Sequence, residues 1–78
     1  AEENVVNSIY PNPSNGMFSI SGENIESIEV YDITGKLVMQ QNINASNATI
    51  DLTNKAKGVY TLKSYNGNNV SVNKLIVE

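Results

Sequence analysis

A β-sandwich is the fold this sequence predicts, on three observations. Its apolar residues fall in short runs that alternate with period 2. Gly, Asn and Pro punctuate the chain at short, regular intervals. No segment carries the 3.6-residue period of an amphipathic helix. The runs number about seven, which suits two packed antiparallel sheets, with a small barrel as the competing arrangement.

Val5 to Tyr10 reads as the first strand, stopped by Pro11-Asn12-Pro13-Ser14-Asn15-Gly16, where both prolines lack an amide donor. Met17 to Ile20 is the second, with Phe18 and Ile20 on one face. Ser27 to Ile33 is the third; Ile28 and Val30 share one face, Glu29 and Tyr31 the other. Asp32-Ile33-Thr34-Gly35 is a tight turn in which Gly35 supplies a positive φ, and Leu37 to Asn42 returns as the fourth strand. Ala48 to Leu52 is a short fifth strand. The stretch from Asp51 to Gly58 has room for one helical turn and no more. Val59 to Tyr65 is the sixth strand and places Tyr60 and Leu62 on the core face; Asn66-Gly67-Asn68-Asn69 turns it into the seventh, Val70 to Val77. That last strand sets Val70, Val72 and Ile76 on one face and Leu75 and Val77 on the other, so its end should be covered on both faces or meet a partner there.

Composition removes whole classes of function. With 78 residues the chain forms one domain, and a small one that buries only about 60% of its unfolded surface. It has no cysteine and no histidine, so disulfides, zinc fingers and Ser/His or Cys/His nucleophiles are excluded. The net charge is −3 and the cations, Lys36, Lys55, Lys57, Lys63 and Lys74, include no arginine, which argues against nucleic acid as a partner. No apolar run approaches the ~18 residues of a membrane span. Ala1-Glu2-Glu3-Asn4 is acidic where a signal peptide would be basic, so an export signal would belong to a longer precursor.

The remaining candidates for chemistry are weak. Glu26, Glu29 and Asp32 are carboxylates for acid–base work, but single charges on strand faces also protect sheet edges. Asp32 and Asp51 carry oxygens suited to calcium, yet no D-x-[DN]-x-[DN]-G array surrounds them, and an Asx role within their own turns explains them better. Tyr10, Tyr31, Tyr60 and Tyr65 offer a stacking platform, although core packing with hydroxyls at the rim is the simpler use. The sequence therefore predicts no enzyme and no cofactor.

Four segments, taken together, resemble a known family. Tyr10-Pro11-Asn12-Pro13 followed by Gly16-Met17-Phe18 is similar to the opening YPNP-x-x-G-x-F of type IX secretion sorting domains. Val30-Tyr31-Asp32-Ile33-Thr34-Gly35-Lys36-Leu37-Val38 resembles their V-x-D-x-x-G-K-x-V hairpin. Asp51-Leu52 with Gly58-Val59-Tyr60-Thr61-Leu62-Lys63 resembles the later D-L…G-V-Y-x-L segment, and Lys74-Leu75-Ile76-Val77 the terminal K-L-I-V. The order is the family's, the resemblance runs over residues 9 to 78, and it points to the shorter, type A group.

That resemblance implies an immunoglobulin-like β-sandwich of about seven antiparallel strands. It implies a non-catalytic C-terminal sorting signal that directs an upstream cargo from the periplasm across the outer membrane to the outside or the cell surface. The implied partners are the outer-membrane translocon and a sortase-like protease that removes the domain. Residues 1 to 8 would hold the linker and the start of the first strand, with a cleavage point upstream or near Ala1, and Glu78 would be the natural end. The expected recognition element is Lys74, Leu75, Ile76, Val77 and Glu78, with Gly35 and Lys36 on the same surface; the end strand would offer its backbone by strand addition while alternate side chains enter pockets. The competing classes are a cell-surface adhesive or carbohydrate-binding sandwich, and a structural spacer of a secreted enzyme.

Overall fold

The computed structural model describes residues 5–78. The expected cleavage point near Ala1 lies outside the described residues. Five antiparallel strands form one curled sheet: β1 (Val6–Tyr10), β2 (Met17–Tyr31), β3 (Leu37–Asp51), β4 (Gly58–Asn66) and β5 (Asn69–Val77). The β1-β2-β4-β5 order runs through β2, which also pairs with β3. A single strand serves three neighbours because it is long and bent. Its first part lies between β1 and the end of β3, with Ile20 opposite both Ile9 and Ala48. Its last part lies between the start of β3 and β4, with Val30 opposite Met39 and Leu62.

The seven predicted runs therefore lie on five continuous strands. The second and third are the two ends of β2, and the fourth and fifth the two ends of β3. The polar stretch Gly22-Glu23-Asn24 reads as a loop in sequence but stays extended, with register shifts between Ser21 and Ile25 and again between Ile25 and Ser27. On the facing strand Asn44 takes a positive φ of 53°, a conformation Asn tolerates better than most residues. Bulges of this kind bend a strand and increase its twist, and here they fold the two ends of one ribbon toward each other. The helical turn allowed between Asp51 and Gly58 does not form; Lys55 N donates to Leu52 O in a short turn instead.

The curl creates the core. Phe18, Ile20 and Ile50 from one end of the ribbon pack in the same cluster as Ile28, Val30, Leu62, Leu75 and Val77 from the other, and Ile25 is fully buried at the bend. Tyr60 and Leu62 face this core as the alternation predicted. On β5 the inward residues are Ser71, Leu75 and Val77, whereas Val70 and Val72 are 49% and 62% exposed and Ile76 is half-buried. The largest apolar side chains at the start of β5 thus face outward.

Candidate recognition surface

The segment Asn12–Ser14 holds the terminal strand. Prolines on both sides of Asn12 cannot donate to a neighbouring strand, and the Asn12 side chain does the pairing. Its Nδ2 donates to the Lys74 carbonyl at 2.8 Å, and its Oδ1 accepts from Ile76 N at 3.1 Å. Ser14 extends the contact through its backbone: Ser14 N donates to Ile76 O at 3.0 Å, and Glu78 N donates to Ser14 O at 2.8 Å. This gives a parallel bridge between Ser14 and Val77. The other side of β5 pairs with β4 along its length, from Asn66 opposite Asn69 to Gly58 opposite Val77. Residues 74 to 77 therefore have partners on both sides, so the strand addition expected of this segment finds no open edge here, and side chains are what it offers to a partner.

Those side chains divide by alternation. Leu75 and Val77 are 0% and 5% exposed and belong to the core. Lys74 and Glu78 are exposed, and Ile76 is half-buried on the outer face. Gly35 and Lys36 are exposed in the β2–β3 turn. Ile76 stands opposite Val59, and Val59 lines the same groove as Gly35.

The β2–β3 turn is built around Asp32. Its Oδ1 accepts from Thr34 N at 2.9 Å, Thr34 Oγ1 at 2.6 Å and Lys36 N at 3.0 Å. Gly35 N donates to Asp32 O, and Gly35 adopts φ +89°, a region that only glycine enters freely. The Thr34 hydroxyl, then the Lys36 amide, holds the Asp32 carboxyl below its usual range. Asp51 repeats the device on Thr53, whose hydroxyl and amide lower its pKa in the same way. Both aspartates therefore play the Asx role. Among the described residues no group of three or more acidic, His or Cys side chains is placed to hold a metal ion.

One cluster on the outer face was not anticipated. Glu29 Oε1 accepts from the Tyr31 and Tyr65 hydroxyls, each at 2.7 Å, and Lys63 Nζ sits 5.2 Å above the Tyr31 ring. These bonds lower the Glu29 pKa, the Tyr65 bond most. Conversely, the Glu29 carboxylate raises Tyr31 and pushes Tyr65 up to about 12. The expectation that the tyrosines pack in the core holds for Tyr60, which is buried and donates to Ala56 O. It fails for Tyr31 and Tyr65, which are half-buried on the outer face, and for Tyr10, 60% exposed. Strand alternation carries the signal that finds this cluster: Glu29 with Tyr31, and Lys63 with Tyr65, each share the face opposite the core.

A sealed terminal strand, two rigid Asp-centred turns and an ordered outer face define a β-module of the recognition class, presenting fixed side chains on a small scaffold. The chain belongs to the secretion system C-terminal sorting domain family, which matches residues 8–78. It is also 38% identical over 73 residues to ulvan lyase NLR42 of Nonlabens ulvanivorans. That similarity covers 88% of this chain and 14% of the relative, so the chain spans about a seventh of that protein's length. The domain is accordingly a type IX sorting signal, and it marks its protein for export to the outside or the cell surface.

Proposed function

We propose that the domain works as a non-catalytic, folded address, read by the outer-membrane translocon through side chains of Lys74, Ile76 and Glu78 together with the Gly35–Lys36 turn. Leu75 and Val77 of the same segment act from within, by fixing the strand. One observation carries this reading: the Asn12–Ser14 clamp and β4 occupy both backbone edges of residues 74 to 77. The terminal side chains therefore have a defined arrangement only once the domain has folded. An address of this kind needs no reactive group, in keeping with a chain that lacks His and Cys.

The finer fold is an immunoglobulin-like sandwich. It is supported by the two ends of the curled sheet, one built from β1 and parts of β2 and β3, the other from the remaining parts of β2 and β3 with β4 and β5. The cargo lies upstream, and a sortase-like protease releases the domain after transit. The similarity to an ulvan lyase supports an enzyme as the kind of protein that carries such a domain.

Deleting residues 74 to 78 would be a poor test, because it strips Leu75 and Val77 from the core and unfolds the module. The informative comparison fuses a periplasmic reporter to the chain in a host with type IX secretion. It sets the parent against a Lys74→Ala, Ile76→Ser, Glu78→Ala variant whose folding is checked by circular dichroism. Loss of export from a folded variant is expected. Export equal to the parent would sink the assigned side chains, and failure of the parent fusion to leave the cell would sink the address itself.

A further inference from the structure

The outer face of β2, β4 and β5 is not a plain solvent surface. Along β4, Val59 stands opposite Ile76, Thr61 lies between Tyr31 and Lys74, and Lys63 lies between Glu29 and Val72. A groove of about 370 Å³ runs here, lined among others by Tyr31, Ile33, Val59 and Lys63. A second hollow of about 220 Å³ shares Ile33 and Val59 with it and ends at Lys57. The larger of the two, at about 370 Å³, reaches the size of clefts that bind ligands, from about 300 Å³ upward. The floor is apolar, and Ile33, 80% exposed, stands at its margin.

Charge gives the groove a sign. The molecule as a whole is acidic, with a net charge of −3, yet Lys63 lines the groove, Lys57 lines the hollow beside it, Lys74 stands on β5 opposite the groove residue Thr61, and Lys36 follows Gly35 in the chain. Lys57 and Lys74 make no ion pair among the described residues. The carboxylates nearby are already engaged: Asp32 by its own turn, Glu29 by two tyrosine hydroxyls. Glu78 is exposed beside Lys74, but Lys36, Lys57, Lys63 and Lys74 outnumber Glu29, Asp32 and Glu78, so the rim is net positive.

We infer that this groove seats an extended, acidic peptide segment of the protein that reads the domain. An apolar side chain would rest on Val59 and Ile33, and flanking carboxylates would meet Lys57 at one end and Lys63 and Lys74 at the other. From Val59 to Lys63 along β4 is about 13 Å, the length of some four extended residues. A strand-like segment with alternating apolar and acidic side chains matches that spacing. An anionic membrane surface fits less well, because Glu29 and Asp32 lie on the same face and would be driven against it. The inference rests on the reading of the domain as a folded address, and adds which face is read and by what chemistry.

The test titrates the isotope-labelled chain with a synthetic peptide alternating Glu and Val, beside Gln–Val and Lys–Val peptides and vesicles of phosphatidylglycerol. The Glu–Val peptide should shift the amides of Val59, Thr61 and Lys63, and salt should weaken it. The Lys57→Glu, Lys63→Glu variant should lose about tenfold or more in affinity and gain binding of the Lys–Val peptide. Because Lys63 also packs on Tyr31, a Lys57→Glu, Lys74→Glu variant of two exposed positions gives the same result without that contact. Equal binding of the Gln–Val peptide, shifts confined to another face, or vesicles moving these amides where the peptide does not, would each overturn the inference. In a reporter fusion, normal export of the folded Lys57→Glu, Lys63→Glu variant, which leaves Lys74, Ile76 and Glu78 untouched, would overturn the groove while leaving the address reading intact. Failure of the parent fusion would remove that reading and the groove with it.

Discussion

The Asn12 side chain donates from Nδ2 to the carbonyl of Lys74, 62 residues further along the chain, at 2.8 Å. The same amide accepts from Ile76 N, so one side chain replaces a missing strand residue at the edge of β5. Asn12→Ala should therefore lower stability by about 1–3 kcal/mol, because it leaves two backbone groups of β5 without their partner. Asn12→Asp should be worse: it keeps an acceptor for Ile76 N but sets a carboxylate against the Lys74 carbonyl. Denaturant midpoints rank the two, and faster hydrogen exchange at Ile76 localises the loss. An unlocked β5 edge should also make both variants more prone to aggregate. Unchanged exchange at Ile76 in Asn12→Ala would show that Ser14 alone holds the strand.

The Glu29–Tyr65 pair predicts a pH window with two sides. The Glu29 pKa is lowered in the folded state. Its contribution is present above the unfolded carboxylate value, about 4.3, and is lost as pH falls through the folded one. Tyr65 is raised to about 12. Its contribution is complete below the unfolded value, about 10, and is lost as pH rises through the folded value. Tyrosinate absorbance should show one residue ionising well above the ordinary tyrosine value of about 10, and Glu29→Gln should return it toward 10. If the last tyrosine to ionise is unmoved by Glu29→Gln, the carboxylate is not what holds the Tyr65 proton.

Two glycines should respond differently to alanine. A Cβ on Gly22 would overlap the Val5 carbonyl oxygen, a backbone atom that has to move. Gly22→Ala should cost about 1–3 kcal/mol, the range of an overpacked site, and shift the amide resonances of Val5 and Val6. A Cβ on Gly35 would meet nothing within 4 Å, but its φ of +89° disfavours any side chain. Gly35→Ala should cost about 1 kcal/mol through backbone strain alone and leave Val5 and Val6 unshifted. A shift of β1 in Gly35→Ala, or its absence in Gly22→Ala, would contradict this.

Local pattern made the strands readable and non-local pairing hid the rest. Phe18 with Ile20, Ile28 with Val30, and Tyr60 with Leu62 alternate plainly, and all six are core residues. The join between the second and third runs was invisible because bulges interrupt the period of two, so Gly22-Glu23-Asn24 reads as loop although the strand continues. Asp32 was legible as an Asx turn because its partners lie within four residues. Asn12 was not: a turn-forming Asn and an edge-capping Asn look alike until the partner strand is in place. The start of β5 left its inner face open, since its valines share one face and Ser71 the other; in the fold Ser71 faces the interior while Val70 and Val72 face out. Such an inversion is what a domain built for contact with a partner would carry.

The same inversion leaves a test in the interior. Ser64 and Ser71 are opposite each other on β4 and β5, both buried, and Ser71 Oγ accepts from Val5 N. Ser64 Oγ is buried with no hydrogen-bond partner among the described residues. A buried hydroxyl without a partner costs free energy that an apolar replacement avoids. Ser64→Ala should thus leave stability unchanged or raise it by up to about 1 kcal/mol. Ser71→Ala should lower it by about 1–3 kcal/mol, since it orphans the Val5 amide where water does not reach. The exchange rate of that amide separates the two: it should rise in Ser71→Ala and stay as it was in Ser64→Ala. Equal destabilisation by both substitutions would mean that Ser64 also carries a hydrogen bond in solution, and that the seam between β4 and β5 is satisfied along its whole length.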